Sequence, residues 1–193
     1  MKLYIVRHGE SESNRKNCWT GWLDVALTKK GIADAERVRE TLDGIKFDKV
    51  YSSDLKRAKA TAEIALPGCE YETTPLLREI SLGALEGMPI TPDWSEILAS
   101  LKDENPDKRA ESVSELRARI AQFLEMMESS SYKTVAVFSH GGWLTNALCL
   151  ICGVEIPRKN IYCGNCATLI LEYTGEVWRM AGGINLPDVN DAP

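Results

Sequence analysis

The two histidines of the chain, His8 and His140, stand in matching local settings. Each leaves a short apolar run and passes directly into glycine, in Arg7-His8-Gly9 and in Ser139-His140-Gly141. A neutral imidazole is a nucleophile at pH 7 and can attack phosphorus in line, which splits a hydrolysis into formation and breakdown of a phosphohistidine. A phosphoryl group in transfer carries its charge on equatorial oxygens, and planar guanidinium forks hold such oxygens bidentately. Arg7 and Arg57 are the candidate forks. The plainer alternatives are two hydrogen-bonded loop histidines and, for Arg57, a solvated basic helix face shared with Lys56 and Lys59.

These residues need elements that bring them together. Residues 3–6 form an apolar run suited to a buried strand that delivers polar side chains at its carboxyl end. Thr28 is placed to cap a helix in which Ile32, Ala35, Val38 and Leu42 recur at three- and four-residue spacing until Gly44. Residues 49–52 read as a second strand. Asp54 is placed to cap a helix running to about Ala65, with Arg57 in its first turn. Residues 115–127 read as a helix, 134–138 as the clearest buried strand, and 143–152 as an apolar helix stopped by Gly153. Residues 168–173 and 177–180 suit a closing hairpin.

Strands alternating with helices predict an α/β fold, a single three-layer α/β/α domain over 1–193 with a mainly parallel sheet and a C-terminal hairpin. Ligands of such sheets bind outside the carboxyl ends of the strands, where the two imidazoles could converge. Residues 88–112, with Pro89, Pro92 and Pro106, are expected to make a surface excursion over the active site, and residues 185–193 a loose tail.

Composition narrows the function. The 193 residues are 44% hydrophobic and 26% charged, which excludes a disordered or fibrous chain. A net charge of -5 gives no broad footprint for nucleic acid or an anionic membrane, so an anionic ligand must be held by local arginines. No run approaches the roughly 18 apolar residues of a membrane helix, and the opening residues do not form a signal-peptide core, so a cytoplasmic protein is expected.

The cysteines carry two rival chemistries. Cys152 and Arg158 have the spacing of a cysteine-phosphatase loop, but Pro157 lacks an N–H and Glu155 brings a carboxylate to the anion. Cys149-x-x-Cys152 and Cys163-x-x-Cys166 could hold zinc, but the first pair lies in an apolar helix and small buried thiols are the simpler reading. Trp19, Trp22 and Trp94 suit pocket lining and core packing equally.

Arg7-His8-Gly9-Glu10 with Asn14, Thr20-Gly21-Trp22-x-Asp24 and Leu27-Thr28-x-x-Gly31 together resemble the opening signature of the histidine phosphatase superfamily, which includes cofactor-dependent phosphoglycerate mutases. The resemblance continues through Val50-Tyr51-Ser52-Ser53-Asp54-Leu55-x-Arg57 and Leu77-x-Glu79-x-x-x-Gly83-x-x-Glu86-Gly87, then Glu111-Ser112 with Arg119, and finally Ser139-His140-Gly141-Gly142. It spans about residues 2–175. It implies His8 as nucleophile, Glu79 as general acid and base, Arg7, Arg57 and His140 as the positive cradle, and Asn14, Thr20, Gly21 and Gly141 as substrate-binding positions. Glu86 is the rival acid on chemical grounds, and Arg78 is the partner that would make Glu79 a mere surface carboxylate.

An arginine-rich site holds a phosphoryl group without a metal, so neither metal nor cofactor is expected, and the partner is a small-molecule phosphate ester, with the chain a monomer or homodimer. Only 52 residues separate Gly87 from His140, and residues 88–112 carry six acidic against three basic side chains. A cap over a bisphosphorylated intermediate should be basic, so a phosphatase, broad in specificity or of the alpha-ribazole phosphate type, is expected over a phosphoglycerate mutase. A non-catalytic phosphate-ligand binding protein would have lost the nucleophile or an arginine, and the chain keeps both.

Overall fold

In the computed structural model, residues 1–91, 108–153 and 163–185 are described, with 95, 99, 101, 102 and 105 between the first two stretches. The expectations for the tail beyond 185, for part of the 88–112 excursion, for Trp94 and for the 155–158 loop therefore lie outside the described residues. The elements are β1 (Lys2–Arg7), α1 (Glu12–Arg15), α2 (Lys29–Leu42), β2 (Lys49–Ser52), α3 (Lys56–Ala65), β3 (Glu72–Thr73), α4 (Val113–Glu128), β4 (Thr134–Ser139), α5 (Gly141–Cys152), β5 (Thr168–Tyr173) and β6 (Trp178–Ile184). The six strands form one sheet in the order β3-β2-β4-β1-β5-β6. The first four neighbours are mutually parallel, whereas β5 runs antiparallel to both β1 and β6. The α/β architecture with a mainly parallel sheet and a closing hairpin is as the sequence predicts.

Strand alternation sorts the core into two layers. Leu3, Ile5, Val135 and Val137 pack against Leu116, Ile120 and Phe123 of α4 and Trp143, Leu144 and Ala147 of α5. Val6, Ala136 and Phe138 point the other way, onto Val38 and Leu42 of α2 and Ala62 and Ala65 of α3. The chain therefore leaves β1 toward one face and β4 toward the other, although the two strands are neighbours. That divergence opens a crevice at their carboxyl ends.

Two local expectations are corrected. The buried stripe of α2 runs Gly31, Ala35, Val38, Leu42, and Ile32 faces solvent. Backbone contact sets this rotation, since a Cβ at Gly31 would collide with the Glu10 carbonyl. Asp54 does not cap α3, whose N-cap is Leu55 without a side-chain bond. Instead Asp54 accepts a two-pronged bond from Arg78 (2.8 Å from Nε), and the cap comes from Asp24, whose Oδ1 accepts the Lys56 N–H at 2.7 Å.

Candidate active site

In the β1–β4 ladder Arg7 lies opposite Ser139. His8 and His140 are the next residues of parallel neighbours, so they emerge side by side, with ring centroids 5.1 Å apart in an edge-to-face arrangement. Both are buried. On the far side of β4, Ser52 lies opposite Phe138, which brings Ser53 beside His140. Arg57 comes one turn later, in α3.

His8 Nδ1 donates to the Gly9 carbonyl at 2.7 Å, which fixes the tautomer and leaves Nε2 as the lone pair. That lone pair accepts from Arg57 Nε at 3.2 Å. Burial holds His8 well below its ordinary pKa, assisted by the charges of Arg57 and Arg7 and opposed by the Gly9 bond, so the ring is neutral and basic at Nε2. His140 is held in the opposite sense. Its Nε2 is 2.9 Å from Ser53 Oγ, whereas its Nδ1 is buried with no partner among the described residues. Burial, then Arg57, keeps His140 neutral as well.

Arg57 is not the solvated helix residue of the plainer alternative: it is fully buried. Its Nη1 donates to the Leu23 carbonyl at 3.0 Å and its Nη2 to the Gly21 carbonyl at 2.8 Å. Burial lowers its pKa to about 10, which leaves it cationic at neutral pH. Arg7 donates to the Cys163 carbonyl, and its guanidinium lies against Gly141, where a Cβ would approach Nε to 3.2 Å. Thr61 ties the turn after His8 to α3, accepting from Gly9 N at 3.1 Å and donating to the Arg57 carbonyl at 2.7 Å.

The Glu79 carboxylate sits at the start of α5, accepting from Gly142 N at 3.0 Å and from Ile80 N at 2.9 Å. Arg78 is committed to Asp54, so Glu79 is not its surface partner. Arg119 fixes the segment before it, donating to the carbonyls of Leu76 and Glu79 and to both oxygens of Glu111. Asn14 closes a capping box at α1, its Oδ1 accepting from Ser11 and from Asn165 Nδ2 at 3.3 Å. Asn165 also donates to the His8 carbonyl at 3.1 Å. Gly21 reaches the site through its carbonyl on Arg57, whereas Thr20 Oγ1 donates to the Cys18 carbonyl at 3.5 Å. Ser53, Asn165 and Asp24 have no role assigned to them from sequence. The signal for Ser53 is its place at a strand's carboxyl end beside the histidine strand.

The sequence profile of the histidine phosphatase superfamily (branch 1) matches residues 3–184. The chain belongs to this superfamily. Membership, together with relatives named as phosphatases, is consistent with an enzyme of the phosphoric monoester hydrolase class. It is 34% identical over 188 residues, 91% of either chain, to a Hydrogenobacter thermophilus protein named "Putative phosphoserine phosphatase 2". To the 2,3-bisphosphoglycerate-dependent phosphoglycerate mutase of Bacteroides fragilis it is 41% identical over 110 residues, which span only 53% of this chain and 43% of the other. The solved structure of a phosphoglycerate mutase from Thermus thermophilus superposes with a TM-score of 0.71 at 30% identity, covering 97% of this chain and all of that one. The six cysteines of this histidine phosphatase are free, and among the described residues no three His, Cys, Asp or Glu side chains gather to hold a metal. Among the described residues no helix is long and apolar enough to cross a membrane.

Proposed function

We propose that this histidine phosphatase hydrolyses small-molecule phosphate monoesters through a phosphohistidine on His8, with positive charge supplied by side chains in place of a metal. The observation that carries the reading is the locked His8 tautomer, which presents an Nε2 lone pair among Arg7, Arg57 and His140. A bound phosphoryl group takes over the N–H that Arg57 gives to Nε2 and frees the lone pair. Nε2 then forms the N–P bond as the ester P–O bond breaks, and Glu79 gives its proton to the departing alkoxide. In the second half, water attacks phosphorus, its proton passes to Glu79, and the N–P bond opens to return neutral His8. The Nδ1 of His140 gains in the phosphoryl oxygens the acceptor it lacks, and the amide nitrogen of Asn14 and the peptide around Gly141 complete the cradle.

Transfer between the hydroxyls of a phosphoglycerate is the second reading, favoured by the Thermus thermophilus relative of comparable length. The short, acidic 88–112 stretch and the partial match to the longer Bacteroides fragilis mutase weigh for hydrolysis. The test is EDTA-treated protein on an ester panel of phosphoserine, alpha-ribazole phosphate, an aryl phosphate and 3-phosphoglycerate primed with bisphosphoglycerate. Phosphate release with label trapped in an acid-labile, alkali-stable form supports the proposal. Label on a cysteine, activity restored only by zinc, or efficient isomerisation with little phosphate release overturns it. Glu79→Gln should cost about 10² to 10⁴-fold on alkyl esters and far less on activated aryl esters, whose phenolate leaves without a proton.

A further inference from the structure

Glu86 stands seven residues after Glu79 and, on chemistry alone, competes with it for the role of acid. The geometry gives it other work. Its Oε1 accepts from Trp22 N at 2.8 Å, from Leu82 N at 3.0 Å and from Ser81 Oγ at 3.4 Å. Gly21 lies so flat against the same oxygen, at φ +49°, that a Cβ there would collide with it. That oxygen, engaged by three donors and covered by backbone, serves as a structural acceptor.

The group that Glu86 grips is the Gly21–Trp22 peptide. Its N–H donates to Glu86, and its C=O accepts from Arg57 Nη2 at 2.8 Å. One peptide plane therefore lies between a carboxylate and a guanidinium, with both ends bonded. Such a chain polarises its middle member, so that the carbonyl holds the guanidinium more firmly and in a narrower range of positions. Leu23 adds the second carbonyl, and Asp24 fixes the loop's far end to the start of the helix that carries Arg57. The Trp22 ring completes the brace, donating from Nε1 to the Glu79 carbonyl at 2.6 Å and lying under Arg78 at 4.7 Å.

We infer that Glu86 is a positioning residue for Arg57: through the Gly21–Trp22 peptide it holds the guanidinium where it meets both His8 Nε2 and an incoming oxyanion. The inference rests on the phosphoryl-site reading above and adds to it a residue that touches neither substrate nor nucleophile. What the position requires is an acceptor at full side-chain length. Gln supplies it without charge, and Asp keeps the charge but stops one methylene short.

The test measures tungstate, a tetrahedral oxyanion, by calorimetry on wild type, Glu86→Gln, Glu86→Asp and Glu86→Ala. Glu86→Asp and Glu86→Ala should each weaken binding about tenfold or more, and Glu86→Gln should stay within about threefold of wild type. The dependence of turnover on leaving group should remain that of wild type in all three. Each result has one meaning. An acid catalyst would reverse the order, with Asp active, Gln inactive and a steep leaving-group dependence. A merely structural residue would lower melting temperature in the variants and leave tungstate affinity of the folded protein unchanged. Either pattern overturns the inference, whereas failure of the wild type itself to bind tungstate would overturn the phosphoryl-site reading beneath it.

Discussion

The corner after β1 and the corner after β4 have nearly the same sequence design and opposite wiring. His8 is tethered through Nδ1 and presents Nε2, whereas His140 is tethered through Nε2 to Ser53 and its Nδ1 has no partner among the described residues. The segments downstream of the two corners differ too: Arg7-His8-Gly9 runs into a loop and one helical turn, but His140 is itself the N-cap of α5. Both rings are neutral, but one offers the lone pair of Nε2 and the other a buried Nδ1. Which nitrogen is bound, and not the type of residue, separates the roles.

Substitutions that mimic one ring nitrogen at a time should break this comparison most sharply. An amide is no nucleophile, so His8→Asn and His8→Gln should each lose at least about 10⁴-fold in turnover of an aryl phosphate, with no acid-labile label. A variant that retained labelled intermediate would move the nucleophile elsewhere. At His140 the two amides should differ, because Asn places its nitrogen near Nδ1 and Gln near Nε2. His140→Gln is expected to cost about 10² to 10³-fold, as for loss of one preorganised donor, and His140→Asn about tenfold. The reverse order would mean that Nε2 faces the phosphoryl group.

Titration sharpens the same contrast with smaller effects. A bound dianion should raise the pKa of His140 from its depressed value, so tungstate binding near pH 7 should take up a fraction of a proton. Calorimetry in buffers of differing ionisation enthalpy reads this directly, and His140→Asn should abolish the uptake. No buffer dependence in wild type would show that His140 stays neutral. Without ligand, both folded-state pKa values lie below the unfolded value of about 6.5, so the unfolded chain binds more protons in the window beneath it. Stability is full above that pH and falls as the pH drops through the window, by up to about 1.4 kcal/mol per unit for each histidine. Urea titrations from pH 7 to 5 should show the fall, and His140→Asn should reduce its slope.

The parts of the site legible in sequence are those whose position comes from strand ends: Arg7, His8 and His140 leave buried runs, and Arg57 sits a fixed step beyond a third strand. The rest depends on pairings between distant segments that compete for the same groups. Asp54 reads as a cap because it precedes a helix, yet the planar fork of Arg78 takes both its oxygens and Asp24 caps the helix from a loop 32 residues away. Glu79 and Glu86 are alike in composition and spacing. Only the three donors around Glu86, against two backbone N–H groups at a helix start for Glu79, tell them apart. Ile32 fits the helical period, but the crossing of Gly31 over Glu10 turns that face outward.

β1, the strand that leads into His8, lies between two partners that come much later in the chain. β1 is hydrogen-bonded on one edge to β4, at 134–139, and on the other to β5, at 168–173. During synthesis, His8 leaves the ribosome early on a strand with both edges open, and such edges invite pairing with other chains. The pairing of β1 can be complete only once β5 is free of the exit tunnel, so chains released before that point are expected to expose an edge of β1 and to be prone to aggregate.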